Sequence, residues 1–199
     1  MFEALQTFLS QHVNITHSDF QLLASKLEEC NFKKKERLTE IGEMENYLHF
    51  VSKGIIRRYF YKGEEEIITL IVKEGGVIGS SASFFSGFPS RYVVEAMEPT
   101  TTFRISKNNL ESLFNSDNKW EKVGRIIISH FLVEQETHIL DSVRLSVQQR
   151  FVKFVSENSD LIMRVPQKYL ASYLNIKQET FSRMKHLMLD KKIKVTTNL

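Results

Sequence analysis

The chain is poor in cysteine, with Cys30 as the single one among 199 residues. One cysteine forms no internal disulfide, and alone it holds neither an iron–sulfur cluster nor a zinc ion. No apolar run approaches the roughly 18 residues that cross a bilayer. The first residues also lack the basic stretch and apolar core of a signal peptide. We therefore expect a reduced, cytoplasmic setting and no membrane partner.

Catalytic and metal-binding motifs are missing as well. The sequence has no nucleophile elbow and no glycine-rich phosphate loop. Two pairs of its six histidines lie near each other in sequence, His12 with His17 and His130 with His138. Neither pair has a nearby acid or cysteine set that would complete a metal site. We predict that the chain is not an enzyme and that it carries no metal and no cofactor.

Positive charge is concentrated in the last third of the chain. From Arg144 onward there are eleven Lys or Arg against four Asp or Glu, a net charge of +7 within a total of +3. The part before Arg144 is therefore acidic, at −4. A basic tail on an acidic body is typical of proteins that bind a polyanion, although solvated helices can also be basic.

Hydrophobic periodicity divides the chain into helical and β regions. Residues 1–29 carry apolar residues three and four apart, which predicts a helical lead-in. Between 31 and 106, short runs of strand formers recur about every ten residues with glycine or proline between them. This pattern predicts an antiparallel sandwich or barrel, and the whole chain falls in the α+β class.

A long helix is predicted to follow, from about 117 to 141. Its apolar residues form two adjacent stripes, so that one can pack on the β domain and the other on a second copy of the chain. Burial of both stripes within one chain is the alternative. Two polar positions in the seam, His130 and Thr137, are of the kind that fixes helix register. The predicted homodimer interface comprises Val123, Ile126, His130, Val133, Thr137 and Leu140.

The residues from 166 to 187 predict two helices joined by a tight turn. Pro166 suits the first position of a helix, and Asn175 tolerates the left-handed backbone that the turn needs. Ala171 allows the helices to cross closely, while Ile176 and Phe181 can fill the angle between them. A plain helical hairpin is the alternative to a DNA-binding helix-turn-helix. Polar side chains left to face outward, toward base edges and phosphates, are Gln178, Thr180, Arg183 and Lys185.

The order of these elements resembles that of the Crp/Fnr transcription regulators. The stretch 170–183 is similar to the recognition motif of that family, whose core is a Glu-Thr pair followed three residues later by Arg, here Glu179, Thr180 and Arg183. The resemblance implies a double-stranded, jelly-roll-like β-roll with flanking helices, a long dimerisation helix and a C-terminal helix-turn-helix. The implied divisions are 1–116, 117–143 and 144–199.

The same resemblance implies roles for individual residues and for partners. It assigns base contacts in double-stranded DNA to Gln178, Glu179 and Arg183, and RNA polymerase is a further candidate partner. Lys177 stands where the family usually has a Ser or Thr that caps the helix, and lysine cannot accept those backbone amides. We therefore expect this helix to start less firmly or to be capped differently.

The stretch that matches the ligand site departs from the family pattern. Members that bind cyclic AMP have a Gly-Glu pair and, about ten residues later, an Arg followed by a small residue. Here Gly79 is followed by Ser80, and Ser90, Arg91 and the bulky Tyr92 stand near the arginine position. A serine is a weaker ribose partner than a carboxylate, so we predict that cyclic AMP does not bind with physiological affinity.

Two features leave alternatives open. If cyclic AMP does not bind, one alternative is that another small ligand is the effector. The other is that the chain's own Phe84, Phe85 and Phe88 fill the pocket, which then serves as a scaffold. The residues 192–199 suffice for about one strand, which predicts a truncated wing after the recognition helix. A degenerate family member that dimerises and binds proteins without specific DNA binding is the alternative to a regulator.

Overall fold

The computed structural model describes residues 3–10 and 14–196, which form two compact units. Unit 1 extends from Met1 to Leu132 and unit 2 from Val133 to Leu199, so the boundary lies inside the longest helix. Over the described residues, unit 1 contains four short helices, an antiparallel β domain and the first half of that helix. Unit 2 contains its second half and four further helices.

Eight strands of unit 1 form two four-stranded sheets in which every pairing is antiparallel. The spatial orders are β1-β8-β3-β6 and β2-β7-β4-β5. In each sheet, strands from the start of the region pair with a strand from its end, as in a β-roll. The predicted antiparallel sandwich is thereby confirmed. The strands are β1 (Glu28–Phe32), β2 (Arg37–Thr39), β3 (Tyr47–Lys53), β4 (Ile56–Lys62), β5 (Glu65–Val72), β6 (Val77–Ile78), β7 (Val93–Ala96) and β8 (Thr100–Ser106).

The helical lead-in is shorter than the sequence predicts. Residues 28 and 29 belong to β1 and not to a helix, because β8 supplies hydrogen-bond partners for their backbone. The α2 helix begins with a capping box in which Thr16 and Asp19 bind each other's backbone amides. Unit 1 has α1 (Glu3–Ser10), α2 (His17–Ala24), α3 (Ser81–Ser86), α4 (Lys107–Phe114) and the start of α5 (Asn118–Arg144).

Two buried apolar clusters hold unit 1 together. One lies inside the roll and is formed by Val51, Ile56, Ile78 and Val94. The other joins the helices to the outer face of the first sheet. Its members are Leu5, Leu9, Leu23, Phe50, Phe103, Leu113, Trp120 and Val123. Val123 is therefore part of the core of unit 1 and not of the exposed face of α5.

Unit 2 is built around buried aromatic side chains. The α6 helix starts with a capping box between Ser146 and Gln149, and it buries Phe151 and Phe154. The Phe151 ring meets the ring of Phe181 edge to face, with centroids 5.2 Å apart. The helices after α5 are α6 (Val147–Glu157), α7 (Leu161–Arg164), α8 (Gln167–Tyr173) and α9 (Gln178–Thr196).

The end of the chain differs from the predicted strand of a wing. The α9 helix continues to Thr196, so residues 192–196 are helical. They carry no glycine or proline that would stop the helix. Residues 197–199 of the predicted strand lie outside the described residues.

Candidate functional site

The segment from Gly79 to Tyr92 is held together by its own buried hydroxyls. Ser80 and Ser90 are 1% and 3% exposed. The Ser90 Oγ lies 2.8 Å from the Ser80 Oγ and 2.8 Å from the Tyr92 carbonyl oxygen, and it accepts the Tyr92 backbone N–H at 3.1 Å. The hydrogen-bonding capacity of the Ser90 hydroxyl is thereby used inside the segment.

A buried carboxylate lies against the same segment. Glu45 is 6% exposed. Its Oε2 accepts the Thr39 hydroxyl at 2.6 Å and the Ser80 backbone N–H at 3.1 Å, and its Oε1 accepts the Tyr47 N–H at 3.1 Å. The Glu45 N–H in turn donates to the Ser83 Oγ at 3.0 Å. Sequence reasoning missed Glu45, because it stands in a turn-rich stretch that matches no motif.

Gly79 is closely packed, so a side chain here would require its neighbours to shift. A Cβ at this position would lie 3.1 Å from the Tyr47 carbonyl oxygen and 3.4 Å from the Leu48 side chain. Of the three phenylalanines predicted to fill the pocket, Phe84 is buried at 1% exposure, whereas Phe85 and Phe88 are 50% and 72% exposed. Phe84 alone of the three is therefore enclosed.

The arginine that the sequence favours is not the one that enters this site. Arg91 is exposed, and no described contact joins it to Ser80 or Ser90. Arg58 of β4 approaches instead, with its Nη1 3.4 Å from both the Gly79 carbonyl oxygen and the Ser81 Oγ. Its guanidinium carbon lies 4.9 Å from the centre of the Tyr92 ring, and its Nε donates to the Thr69 Oγ1 at 3.2 Å. No sequence motif identifies Arg58, since the topology of the roll brings β4 to this segment.

The α8 and α9 helices of unit 2 are joined by the tight turn that the sequence predicts. Asn175 has a φ of 52°, the left-handed conformation expected of it. Ala171 is 2% exposed and accepts the Ile176 N–H at 3.0 Å, which closes the turn. Phe181 of α9 is fully buried. The start of α9 is therefore fixed by the packing of Phe181 and by the turn, in the absence of a Ser or Thr at Lys177.

The first turns of α9 present their polar side chains to solvent. Lys177, Gln178, Glu179 and Arg183 are exposed, whereas Thr180 is half-buried. Lys185 is also half-buried, and its Nζ lies 3.4 Å from the Ile162 carbonyl oxygen. The structure thus places the predicted base-contacting side chains on one accessible helix face, with Thr180 and Lys185 at its margin.

A single arginine joins this turn to the end of α5. The Arg150 guanidinium donates to the carbonyl oxygens of Leu145 at 2.8 Å and Ser142 at 3.2 Å. It also donates to the carbonyl oxygens of Leu174 at 3.1 Å and Asn175 at 3.3 Å. Carbonyl groups at helix ends carry partial negative charge, which a cation stabilises. Sequence reasoning missed Arg150, because a lone arginine between Gln149 and Phe151 gives no signal of such contacts.

The second half of α5 carries an exposed apolar face. Among the predicted interface residues, Val133 and Leu140 are 61% and 50% exposed. His130 and Thr137 are also exposed, whereas Ile126 is half-buried and Val123 lies in the core. Further large apolar side chains on this face are Leu132, Ile139 and Val143.

Comparisons with known proteins agree with this architecture. Residues 29–117 match the cyclic nucleotide-binding domain family. Comparison with curated protein sequences gives no significant match.

Several solved structures superpose on most of the chain. FixK2 from Bradyrhizobium japonicum is similar with a TM-score of 0.74 and 20% identity, over 84% of this chain and 86% of that one. The c-di-GMP responsive global regulator CLP of Xanthomonas campestris gives 0.68 and 15%, over 88% and 93%. The catabolite activator protein of Thermus thermophilus gives 0.56 and 15%, over 90% and 86%.

The fold is therefore the one found in these solved structures, and the predicted fold class is confirmed. None of the helices over the described residues is both long and apolar enough to span a membrane.

Proposed function

We propose that this chain is a dimeric, DNA-binding transcription regulator whose sensor domain does not respond to cyclic AMP. The observation that carries the proposal is the exposed face of α9. Gln178, Glu179 and Arg183 point to solvent there, while the fully buried Phe181 fixes the helix that bears them.

The chemistry of this face suits the major groove of DNA. Arginine donates to the O6 and N7 of guanine, glutamine binds adenine, and a carboxylate accepts from the amine of cytosine. The surrounding excess of Lys and Arg supplies phosphate contacts, which position a protein without selecting a sequence. A helix that offers both base-contacting and phosphate-contacting side chains is suited to binding a specific DNA sequence.

The exposed apolar face of α5 supports a second copy of this chain as the partner. Val133 and Leu140 lie seven residues apart, which is the spacing of a coiled-coil seam. A large apolar face on a helix that is open to solvent is unfavourable for a monomer. Two helices paired along this face would place the two α9 helices on half-sites about one helical turn apart.

The sensor geometry argues against cyclic AMP. The Ser80 and Ser90 hydroxyls are engaged with each other, and the predicted phosphate partner Arg91 is exposed. The Glu45 carboxylate receives the Ser80 backbone N–H. The Ser80 backbone N–H is therefore occupied and is not available to a phosphate oxygen.

The test is selection of bound DNA from a random pool with the purified protein, followed by gel shifts over a range of salt concentrations. A regulator enriches a palindromic site, and its affinity falls steeply with salt while its preference for that site remains. Binding without sequence preference, or no binding at low salt, would instead favour a scaffold that dimerises and binds proteins.

A further inference from the structure

Unit 1 contains an apolar cavity that is distinct from the polar contacts around Ser80 and Ser90, although Phe85 of the segment 79–92 lines it. It has a volume of about 130 Å³ and lies between helices α1, α2, α4 and α5 and the outer face of the first sheet. Leu23, Phe50, Phe103 and Ile127 are among the side chains that line it. The volume is close to the roughly 150 Å³ of engineered apolar cavities that stay dry and bind benzene.

One of the residues that line this cavity, Trp120, has a buried polar atom without a hydrogen-bond partner among the described residues. Trp120 lines it and is 3% exposed, and its indole Nε1 is buried with no hydrogen-bond acceptor among the described residues. Buried donors are nearly always paired, because an unpaired one loses its hydration without compensation. An apolar cavity with one unpaired donor is complementary to an apolar molecule with one acceptor.

The lining also determines the charge of an occupant. Every residue along the cavity is an aliphatic or aromatic residue or a glycine. No lining side chain can compensate a charge on the occupant, and burial of an unpaired ion is strongly unfavourable. Phe85 and Ile128 line the cavity while being 50% and 48% exposed, so they form its rim toward solvent.

We infer that this cavity is a binding site for a small uncharged apolar molecule, such as a single-ring compound, that accepts a hydrogen bond from Trp120. Trp120, Val123 and Ile127 belong to the first turns of α5. A molecule in the cavity therefore contacts the helix that continues into unit 2. That this binding regulates DNA recognition rests on the proposed function, whereas the site itself does not.

The test uses the only tryptophan of the chain as the probe. Because the sequence has a single Trp, the ¹⁵N-labelled full-length protein gives one indole N–H signal by NMR. We expect a saturable shift of this signal with cyclohexanone, which has one acceptor. Cyclohexane should bind about two- to tenfold more weakly, since it forgoes one hydrogen bond. The charged cyclohexanecarboxylate should cause no saturable shift.

Substitutions that fill the cavity locate the site. Ile127→Phe or Leu110→Phe should weaken cyclohexanone binding by roughly tenfold or more, because the added ring takes up the volume. Ile41→Phe, at a position of unit 1 that is 48% exposed and does not line the cavity, is the matched control and should leave the affinity unchanged. Trp120→Phe keeps an apolar ring and removes the donor, so ligand-observed NMR should find equal affinities for cyclohexanone and cyclohexane.

Several results would overturn the inference. These are no saturable shift with either uncharged probe, tight binding of cyclohexanecarboxylate, unchanged affinity in a folded filling variant, or a retained preference for cyclohexanone in Trp120→Phe. DNA selection is a separate measurement. If DNA is selected and no probe binds, the cavity inference alone fails; if probes bind and no DNA is selected, the proposed function alone fails.

Discussion

Ser80 and Ser90 bind each other, with their hydroxyl oxygens 2.8 Å apart. The two residues stand where the resemblance to Crp/Fnr regulators places contacts to the ribose and phosphate of a cyclic nucleotide. Both are buried, and Ser80 also donates its backbone N–H to Glu45. A nucleotide would have to break these contacts before it could form its own.

We predict that cyclic AMP gives no saturable heat in calorimetric titrations up to about 1 mM, a limit near −4 kcal/mol of binding. The physical reason is that the Glu45 carboxylate and the paired hydroxyls oppose a phosphate. Glu45→Gln is the matched variant, since it removes the charge and keeps an acceptor. Saturable binding by the unaltered protein would contradict the prediction, and a gain of binding in Glu45→Gln alone would identify the charge as its cause.

Arg183→Ala should weaken specific DNA binding by roughly 1–3 kcal/mol and relax the base preference at one position of each half-site. The exposed guanidinium on α9 is suited to guanine, and its loss removes two hydrogen bonds. Gel shifts with the selected site and its single-base variants measure both effects. Arg91→Ala, an exposed arginine of the β domain, serves as the control. An unchanged site preference in Arg183→Ala would show that α9 is not the recognition helix.

Leu140→Asp should raise the dissociation constant of the dimer by at least about 100-fold. The substitution places a charge in the proposed seam, and an unpaired buried charge costs several kcal/mol. Sedimentation equilibrium measures the change. Val152→Asp on α6 is the matched control, because Val152 is 58% exposed and lies outside the seam. Equal dissociation constants for the two variants would place the interface elsewhere.

His49 makes unit 1 sensitive to acid. Its burial, reinforced by the nearby positive charge of Arg104, lowers the pKa of the imidazole from 6.5 to about 4. The folded protein therefore holds His49 neutral, while the unfolded chain takes up a proton below about 6.5. Stability contributed by the neutral form is complete above that pH and is lost as the pH falls from about 6.5 toward 4.

Urea unfolding at several pH values should show a loss of roughly 3 kcal/mol over this range from His49. In His49→Gln that part of the pH dependence should disappear. His17→Gln, at an exposed position of α2, should keep the loss seen in the unaltered protein. If His49→Gln and the unaltered protein have parallel pH profiles, the buried imidazole is not the cause.

Arg150→Lys should lower the free energy of unfolding of unit 2 by about 1–3 kcal/mol, since one ammonium group cannot reach four carbonyl oxygens. Urea unfolding followed by a signal from the α-helices measures the loss. Arg144→Lys, at the exposed last residue of α5, should change stability by less than about 0.5 kcal/mol. Equal effects of the two substitutions would show that the contacts of Arg150 contribute little.

The sequence predicted the features that depend on local periodicity and turn chemistry. The alternation of strand formers predicted the antiparallel sheets, and Asn175 predicted the tight turn between α8 and α9. Pro166 stands one position earlier than predicted, at the N-cap of α8 and not at its first helical position. The three side chains expected to contact bases, Gln178, Glu179 and Arg183, are exposed in the structure. Their role in DNA binding stays a prediction.

Other features depend on contacts between residues far apart in sequence, which no local pattern reveals. Glu45 reaches Ser80 across 35 positions and Arg150 reaches Asn175 across 25. Arg58 enters the segment 79–92 because the roll places β4 beside it. Val123 follows the apolar stripe assigned to the dimer, yet it lies in the core, because a stripe does not show which of two surfaces covers it.

The partners of Arg150 are all backbone carbonyl oxygens. Neither a carbonyl nor a guanidinium changes its protonation state under physiological conditions. These contacts therefore involve no ionisable side-chain acceptor. The Arg150 side chain thus links the last turn of α5 directly to the turn that precedes α9, so a displacement of one of these two turns strains the contacts with the other.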